Sequence, residues 1–444
     1  MSSPEQVRQI EPAVLRRSVA AGAIGVWVHW FDWAVYAYMS TTIATVFFPT
    51  QDATAGLLAV FAVFAVSFAI RPIGGLIFGT LGDRIGRRRT LVFVIILMSA
   101  ATLAVGFLPS YASVGIAATV LLVVTRLIQG LAAGGEFGSA ATFLAEYSPR
   151  KRRGFGVSWL ECSSLAGFLS ASLAVFVLSS VLSESAVTSW GWRIPFLLAA
   201  PMGIIGLYIR LKLDDTPEFK ALVKADQIAR SPLKELFAQN KRQLLQMTGI
   251  EILQHITFYT VVVYMLTYQT EELGLGAGDA AMSATVTSLV AMVLVPIFGG
   301  LSDRIGRKPL TMASAVGFVV LSIPLFLLMT LDSVAVAVLT HVLLGVLLAL
   351  ILSTHAVAMS EIFPTRVRQS GLSIGYNVTA AVFAGTVPYL LTYLISATGN
   401  SFMPAFYLVL AGAVGIVTTL TLPETRGRDL IQVSSEELSA SVKG

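Results

Sequence analysis

The 444-residue chain is read as an all-α membrane protein with twelve transmembrane helices in two pseudo-symmetric six-helix bundles. Three observations carry that reading. Hydrophobic residues make up 55% of the chain and charged residues 12%, with mean hydropathy +0.79, whereas an ordinary soluble domain carries roughly 25% charged residues. Leu91 to Leu108 and Phe402 to Leu422 contain no charge at all. A helix of about 20 such residues matches the roughly 30 Å hydrocarbon core, and lipid favours helices because it cannot satisfy exposed backbone groups. Finally, Leu81-Gly82-Asp83-Arg84-Ile85-Gly86-Arg87-Arg88 returns as Leu301-Ser302-Asp303-Arg304-Ile305-Gly306-Arg307-Lys308 between two apolar stretches. The chain therefore consists of two related halves whose matching loops lie on one side of the membrane. Paired halves of this kind are how secondary transporters build a central site open alternately to either face.

The spans are predicted at 19–42, 55–80, 90–108, 113–146, 154–182 and 192–211, then 243–270, 279–301, 309–330, 334–360, 370–396 and 402–422. Residues 1–211 form the N-terminal bundle. Residues 212–242, polar and too long for a hairpin, form a cytoplasmic linker with amphipathic helix in it. Residues 243–444 form the C-terminal bundle and a short cytoplasmic tail, which has no heptad pattern and so predicts no coiled coil. Two further echoes support the duplication. Glu146-Tyr147-Ser148-Pro149, followed by Arg152, Arg153 and Gly154, resembles Glu361-Ile362-Phe363-Pro364, followed by Arg366, Arg368 and Gly371. Asp215-Thr216 resembles Glu424-Thr425, and the three echoes stand 220, 215 and 209 residues apart.

The net charge of +5 reflects topology and is not a nucleic-acid signature. Lys and Arg concentrate in alternate loops (84–89, 150–153, 212–242, 304–308, 366–368), while the loops between are nearly free of them. The positive-inside rule makes the basic set cytoplasmic, with both termini on that side. Cys162 is the single cysteine, so no disulfide framework exists. The first apolar segment, from Val19, is too long for the h-region of a cleavable signal peptide.

These motifs carry a family resemblance. Gly79 to Arg88 and Gly299 to Lys308 both read G-x-L-x-D-R-x-G-R-[RK], the loop motif of the major facilitator superfamily. Within it the chain resembles the metabolite:proton symporter branch of proline/betaine, α-ketoglutarate, citrate and shikimate transporters. The branch-like stretches are Trp30-Phe31-Asp32-Trp33, Ile70-Arg71-Pro72-Ile73-Gly74-Gly75, Gln129-Gly130 with Gly134-Gly135-Glu136, Ala145 to Pro149 and Trp190 to Phe196. The branch usually reads G-N-x-x-E-W-F-D in the first span. Here Val26 and His29 replace the amide and the acid, which puts proton coupling or substrate choice at that point in question. By resemblance, Asp83, Arg84 and Arg87 with Asp303, Arg304 and Arg307 form gating contacts that hold the cytoplasmic side closed.

An ionisable side chain inside a span is costly and is a functional candidate. His29 and Asp32 stand three apart on one helical face, with Trp33 and Tyr36 flanking the same stripe. Arg71 lies in the second span, and Arg126, Gln129, Ala133 and Glu136 form one stripe in the fourth. Glu161 is in the fifth span, Glu251, Gln254, His255 and Tyr259 in the seventh, and His341 and His355 in the tenth. Asp32 is the expected proton carrier, with His29, Glu136 and Glu161 as further proton-coupling candidates. Arg71 lies at comparable depth on the antiparallel neighbouring span, within reach of Asp32 as one pairing option. Arg126 is expected to hold a substrate carboxylate, since guanidinium offers a planar fork and stays charged; its alternative is neutralisation by a carboxylate with no ligand contact. Gln129, Trp33, Tyr36, Arg71, His255, Tyr259, Tyr376 and Asn377 complete the substrate candidates. Of the first-span aromatics, at most Trp33 and Tyr36 are expected to line the cavity.

The expected function is proton-coupled uptake of a small carboxylate-bearing metabolite by alternating access. An organic acid such as α-ketoglutarate is favoured on account of two intramembrane arginines, with a zwitterionic osmolyte such as proline or betaine as the alternative. A drug:proton antiporter is disfavoured because 154–181 lacks proline, and a non-transporting nutrient sensor is the rival from another class. Neither enzymatic activity nor a metal site is expected. The proton is the coupling ion, the partners are the small substrate and the bilayer, and the unit is a monomer in the cell (inner) membrane.

Overall fold

The computed structural model describes residues 12–49, 53–211, 219, 223, 232–331 and 333–430. Its N-terminal half contains α1 (Pro12–Tyr38), α2 (Ala53–Ala69), α3 (Arg71–Ile85), α4 (Arg87–Phe107), α5 (Ile116–Tyr147), α6 (Arg153–Val181) and α7 (Arg193–Leu211). A short helix, α8 (Pro232–Gln239), precedes the second half. That half runs α9 (Lys241–Phe258), α10 (Met265–Glu271), α11 (Ala277–Ile305), α12 (Arg307–Met329), α13 (Val334–Leu352), α14 (His355–Ile362), α15 (Arg368–Thr379), α16 (Val387–Thr398) and α17 (Met403–Thr421). Among the described residues, eleven continuous helical stretches are long and apolar enough to cross a membrane. α1 packs beside them against α6 and α7.

Four predicted spans are interrupted, each for a local reason. α3 starts with Arg71 and Pro72; proline brings no backbone N–H to the first turn, so the helix restarts at Ile70 and the charge of Arg71 falls at the break. α9 passes through a π-helical turn at Tyr259–Tyr264 before α10. α13 stops at Leu352, and α14 restarts at His355 after the turn at Ser353 and Thr354. α15 leads through another π turn, Ala380–Ala384, into α16. Such irregular backbone at membrane depth is tolerated where protein rather than lipid surrounds it. Gly86 and Gly306, the matching glycines of the repeated octet, both reverse the chain at positive φ, 108° and 111°, a conformation glycine adopts without a Cβ penalty.

The linker expectation falls mostly outside the described residues. Its described end, α8, buries Pro232 and Leu236 and exposes Lys234 and Gln239, although Phe237 is exposed as well. The halves meet along two helix crossings, α6 against α11, and α15 against α3 and α5.

Candidate functional site

The first-span carboxylate is fully enclosed, with Asp32 1% exposed. Arg126 Nη1 donates to Asp32 Oδ2 at 3.0 Å, and Gln129 Nε2 donates to the same oxygen at 3.1 Å while also reaching Thr102 Oγ1 at 2.9 Å. The stripe of α5 therefore faces α1, and its two polar groups about one turn apart both close on one carboxylate. Asp32 Oδ1 keeps no partner, nor do Arg126 Nε and Nη2. The Arg126 guanidinium lies 4.1 Å from the Tyr36 ring centroid, and Tyr36 donates its hydroxyl proton to the Val60 carbonyl.

Asp32 and Arg71 do not pair. Equal depth on neighbouring helices was not enough, because the α5 stripe, not α3, faces Asp32. Arg71 instead packs over Trp33 and Phe68, 4.0 and 4.1 Å from the ring centroids, and its Nη2 lies 3.3 Å from His29 Nε2. Among the described residues no carboxylate lies within ion-pair distance of it. The two aromatic faces that could have met a substrate cation thus face the protein's own guanidinium groups.

Beside Arg71 is a buried cavity of about 10 Å³, lined by Val26, His29, Trp30, Arg71, Ala133, Glu136, Phe137 and Tyr376. That volume is close to the room one water needs, so the centre is occluded. Trp33 and Tyr36, expected at the wall, lie against the arginines, and Trp30 lines the cavity in their place. The first-span pattern did not reveal this, since all six aromatics share that helix. Tyr376 stacks on Phe137 across the halves at 3.7 Å between centroids. His255 faces the Tyr376 carbonyl through Nε2 at 3.2 Å and the Gln254 side-chain oxygen through Nδ1. Tyr259 meets Phe68 edge-on. Asn377 is a clasp between halves: its Nδ2 donates to the Gly134 carbonyl at 2.7 Å and to that of Ser373 at 2.6 Å. Glu161 Oε1 lies 3.1 Å from His355 Nε2, again across the halves.

The end of the molecule that carries the repeated octets is sealed by two copies of one arrangement. In the first, Asp83 accepts the backbone N–H of Gln369 at 3.3 Å and of Ser370 at 2.9 Å, at the start of α15. Glu146 sits 3.4 Å from Arg87 and 2.6 Å from Arg368 of the opposite half. In the second copy, Asp303 accepts the N–H of Gly154 at 2.8 Å and of Phe155 at 2.9 Å, at the start of α6. Glu361 pairs with Arg307 at 3.2 Å and with Arg153 of the opposite half at 2.9 Å. Each half thus places an aspartate on the unsatisfied N–H groups and positive dipole end of the other half's helix. Of the six gating candidates, Asp83, Arg87, Asp303 and Arg307 build the seal, whereas the Arg84 and Arg304 side chains face outward and are exposed. Alternation explains that: one step along a helix turns a side chain about 100° away from its neighbour.

Glu146, Arg153, Glu361 and Arg368 belong to the seal and were visible only as echoes of duplication. The Glu424-Thr425 echo has a place too. Burial alone would raise the Glu424 carboxyl, but the N–H groups of Arg307, Arg426 and Lys308 and the Arg307 charge hold it below the usual carboxylate range. Thr425 donates to Glu361 at 2.7 Å, and the Arg428 and Leu430 carbonyls accept from Arg153 and Arg368. Asp215-Thr216, its counterpart, lies outside the described residues.

The second crossing is tight enough to exclude side chains. A Cβ on Gly299 would meet Ser158 Oγ at 2.4 Å and the Gly154 carbonyl at 2.8 Å. Gly299→Leu is therefore expected to prevent α6 and α11 from closing and to favour the state open to the cytoplasm. Spin labels on the exposed Arg84 and Arg304 positions, in opposite halves, should report a longer mean separation than in the parent; an unchanged distance distribution would contradict the expectation.

Two bundles joined along such crossings, sealed at one end over an occluded charged and aromatic chamber, define a multi-span membrane transporter built from two halves around a central site. The chain belongs to the Major Facilitator Superfamily, whose family profile matches residues 22–387 and, in a second match, 247–443. It is a transporter and not an enzyme, as are its relatives. It is 37% identical to the proline/betaine transporter of Escherichia coli (strain K12) over 95% of this chain and 86% of that protein. It is 36% identical to the glycine betaine/proline/ectoine/pipecolic acid transporter OusA of Dickeya dadantii (96% and 87%). Against the ectoine/proline transporter ProP of Corynebacterium glutamicum the identity is 33% (96% and 88%). The fold matches the proton:xylose symporter XylE bound to 6-bromo-6-deoxy-D-glucose, with TM-score 0.79 and 19% identity over 97% of this chain and 100% of that one.

Proposed function

We propose that the protein imports a small zwitterion of the proline or betaine kind together with protons, as a monomer in a bacterial inner membrane with both termini cytoplasmic. One observation favours a zwitterion over the organic acid expected above: Arg126 is taken by Asp32. Among the described residues lining the cavity, the guanidinium is that of Arg71, which has no carboxylate partner there and stands beside Glu136 and the Trp30 and Tyr376 rings. A dianion needs two cations there, whereas a zwitterion needs one cation for its carboxylate and aromatic faces or a carboxylate for its ammonium. The names of the relatives support the same choice.

Asp32 is the proposed proton carrier. Its protonation removes the charge that holds Arg126, loosening the bond between α1 and α5, and deprotonation restores it. Asp32→Asn should therefore abolish accumulation driven by an inward proton gradient while leaving counterflow exchange measurable. In proteoliposomes, labelled proline, glycine betaine and ectoine should accumulate under that gradient, and α-ketoglutarate and citrate should not. Accumulation of an acid alone would sink the zwitterion reading, and full accumulation by Asp32→Asn would remove Asp32 from coupling.

A further inference from the structure

His355 stands between two carboxylates that the Asp32 mechanism does not use. Its Nδ1 lies 3.0 Å from Glu251 Oε1 on α9, and its Nε2 lies 3.1 Å from Glu161 Oε1 on α6. All three side chains are buried, with Glu161 3% exposed and the others 0%. The Phe137 ring stacks on the imidazole at 5.6 Å.

The geometry counts protons. A neutral imidazole carries one N–H and one bare nitrogen. If both glutamates were ionised around it, one of the two contacts would oppose a nitrogen lone pair to a carboxylate. Two short N···O contacts therefore need two protons, carried as an imidazolium or as a neutral ring beside one carboxylic acid. Either way the closed triad holds one proton more than a neutral histidine flanked by two carboxylates.

The same geometry ties that proton to the movement of the halves. α6 carries both Arg153 and Glu161, and α14 carries both His355 and Glu361. The two helices are joined twice, by Arg153–Glu361 at the cytoplasmic seal and by Glu161–His355 deeper in. Glu251 and His355 lie in one half, Glu161 in the other. Parting α6 from the C-terminal half thus leaves the imidazole one carboxylate where it had two, next to a chamber that has become hydrated. Pseudo-symmetry sharpens the point. At the 215-residue offset that relates Glu146 to Glu361 and Arg153 to Arg368, the counterparts of Glu161 and His355 are Tyr376 and Ala140. The seal is duplicated and the triad is not, so its charges are not a requirement of helix packing at such a crossing.

We infer that Glu161, His355 and Glu251 form a second proton-binding site, which takes a proton while the cytoplasmic side is sealed and gives it up to the cytoplasm when the halves part there. Other titratable groups frame it. His255 of α9 stands edge-on to Tyr376 of α15, with 4.7 Å between ring centroids. Glu136 of α5 and Arg71 of α3 line the adjoining cavity, and Cys162 follows Glu161 on α6. His341 of α13 is turned away to Ser283 and the Val261 carbonyl. The inference rests on the proton-coupled reading above, but its first test does not.

That test is nitrogen NMR on purified protein labelled at histidine, without substrate, combined with infrared difference spectra of Glu161→Gln and Glu251→Gln. The His355 signal is assigned by its loss in His355→Gln or, should that variant fail to fold, by its shift in Glu161→Gln. In the parent we expect an imidazolium, or a neutral ring together with a protonated-carboxyl band that disappears in one of the glutamate variants. In Gly299→Leu, biased toward the cytoplasm-open state, that signature should be lost. A neutral ring with no carboxyl band in the parent, or a signature identical in both proteins, overturns the site as a coupled one. In proteoliposomes His355→Gln, or Glu251→Gln if it alone folds, should move about one proton fewer per substrate than the parent; an unchanged ratio also overturns it. Should no tested zwitterion be transported, the function proposed above falls, while the spectroscopic result on the triad stands or fails by itself.

Discussion

Arg71→Ala is expected to weaken equilibrium binding of the zwitterion by roughly 10- to 100-fold, with uptake falling in proportion. The magnitude follows from one charge-assisted interaction worth about 1.5–3 kcal/mol, at about 1.4 kcal/mol per tenfold. Arg71 contributes a guanidinium whose Nε has no partner and which faces a cavity, so a bound carboxylate would meet donors not already spent. Lysine at this position keeps the charge but not the planar fork, so Arg71→Lys should fall between the parent and alanine. Arg126→Lys is the contrasting variant. Its guanidinium serves Asp32, so its loss should change the dependence of transport on the proton gradient more than the binding constant at fixed pH. Quenching of Trp30 or Trp33 fluorescence on titration supplies the binding curve. If Arg71→Ala binds within about threefold of the parent and Arg126→Lys does not, the carboxylate anchor has been placed on the wrong arginine.

The class of protein was legible from composition and from one repeated octet, because hydrophobic length and loop charge act locally and need no knowledge of neighbours. Pairing was less so. Asp32 and Arg126 were both recognised as expensive intramembrane charges, yet their mutual contact was not, because depth along a span says nothing about which face meets which helix. The stripe at Arg126, Gln129 and Glu136 did hold that information. It defines one face of α5, and a face carrying two polar groups a turn apart must close on something polar. The aromatic first span misled in a related way: Trp33 and Tyr36 pack on the arginines, and Trp30 reaches the cavity. The His355 triad joins residues 104 and 194 positions apart, so no local pattern could announce it.

The repeated octets single out Asp83, Arg87, Asp303 and Arg307, but not the partners that these residues meet in the structure. The echo of Glu146 and Arg153 in Glu361 and Arg368 served as a sign of duplication alone. A charged residue kept at matched places in two halves, beside helix starts at the end that carries the octets, is more economically explained by a contact each half makes with the other. The structure has that contact twice, with the carboxylate from one half and one of its arginines from the opposite half.

That duplication sets the largest conformational effect expected. Replacing one partner of a buried pair costs about 3–5 kcal/mol when the other charge stays buried. Here the orphaned charge, Arg368 in Glu146→Gln or Arg153 in Glu361→Gln, can reach water by opening of the cytoplasmic side, so the cost falls on the sealed state alone. Each single variant should therefore shift the population toward the open state by roughly 100-fold, using about 3 kcal/mol at 1.4 kcal/mol per tenfold. The double variant should shift it by about the product if the two clusters act independently. They share one element, the segment whose Arg428 and Leu430 carbonyls accept from Arg153 and Arg368. A double variant falling short of the product would assign the deficit to that segment, and removing the Thr425 hydroxyl, which donates to Glu361, should then reduce the deficit. Distances between spin labels at positions 84 and 304, in a background with Cys162 replaced by serine, measure all of these populations. Double Glu146→Gln, Glu361→Gln protein that remains as fully sealed as the parent would mean that the Asp83 and Asp303 contacts to α15 and α6 hold the cytoplasmic side by themselves.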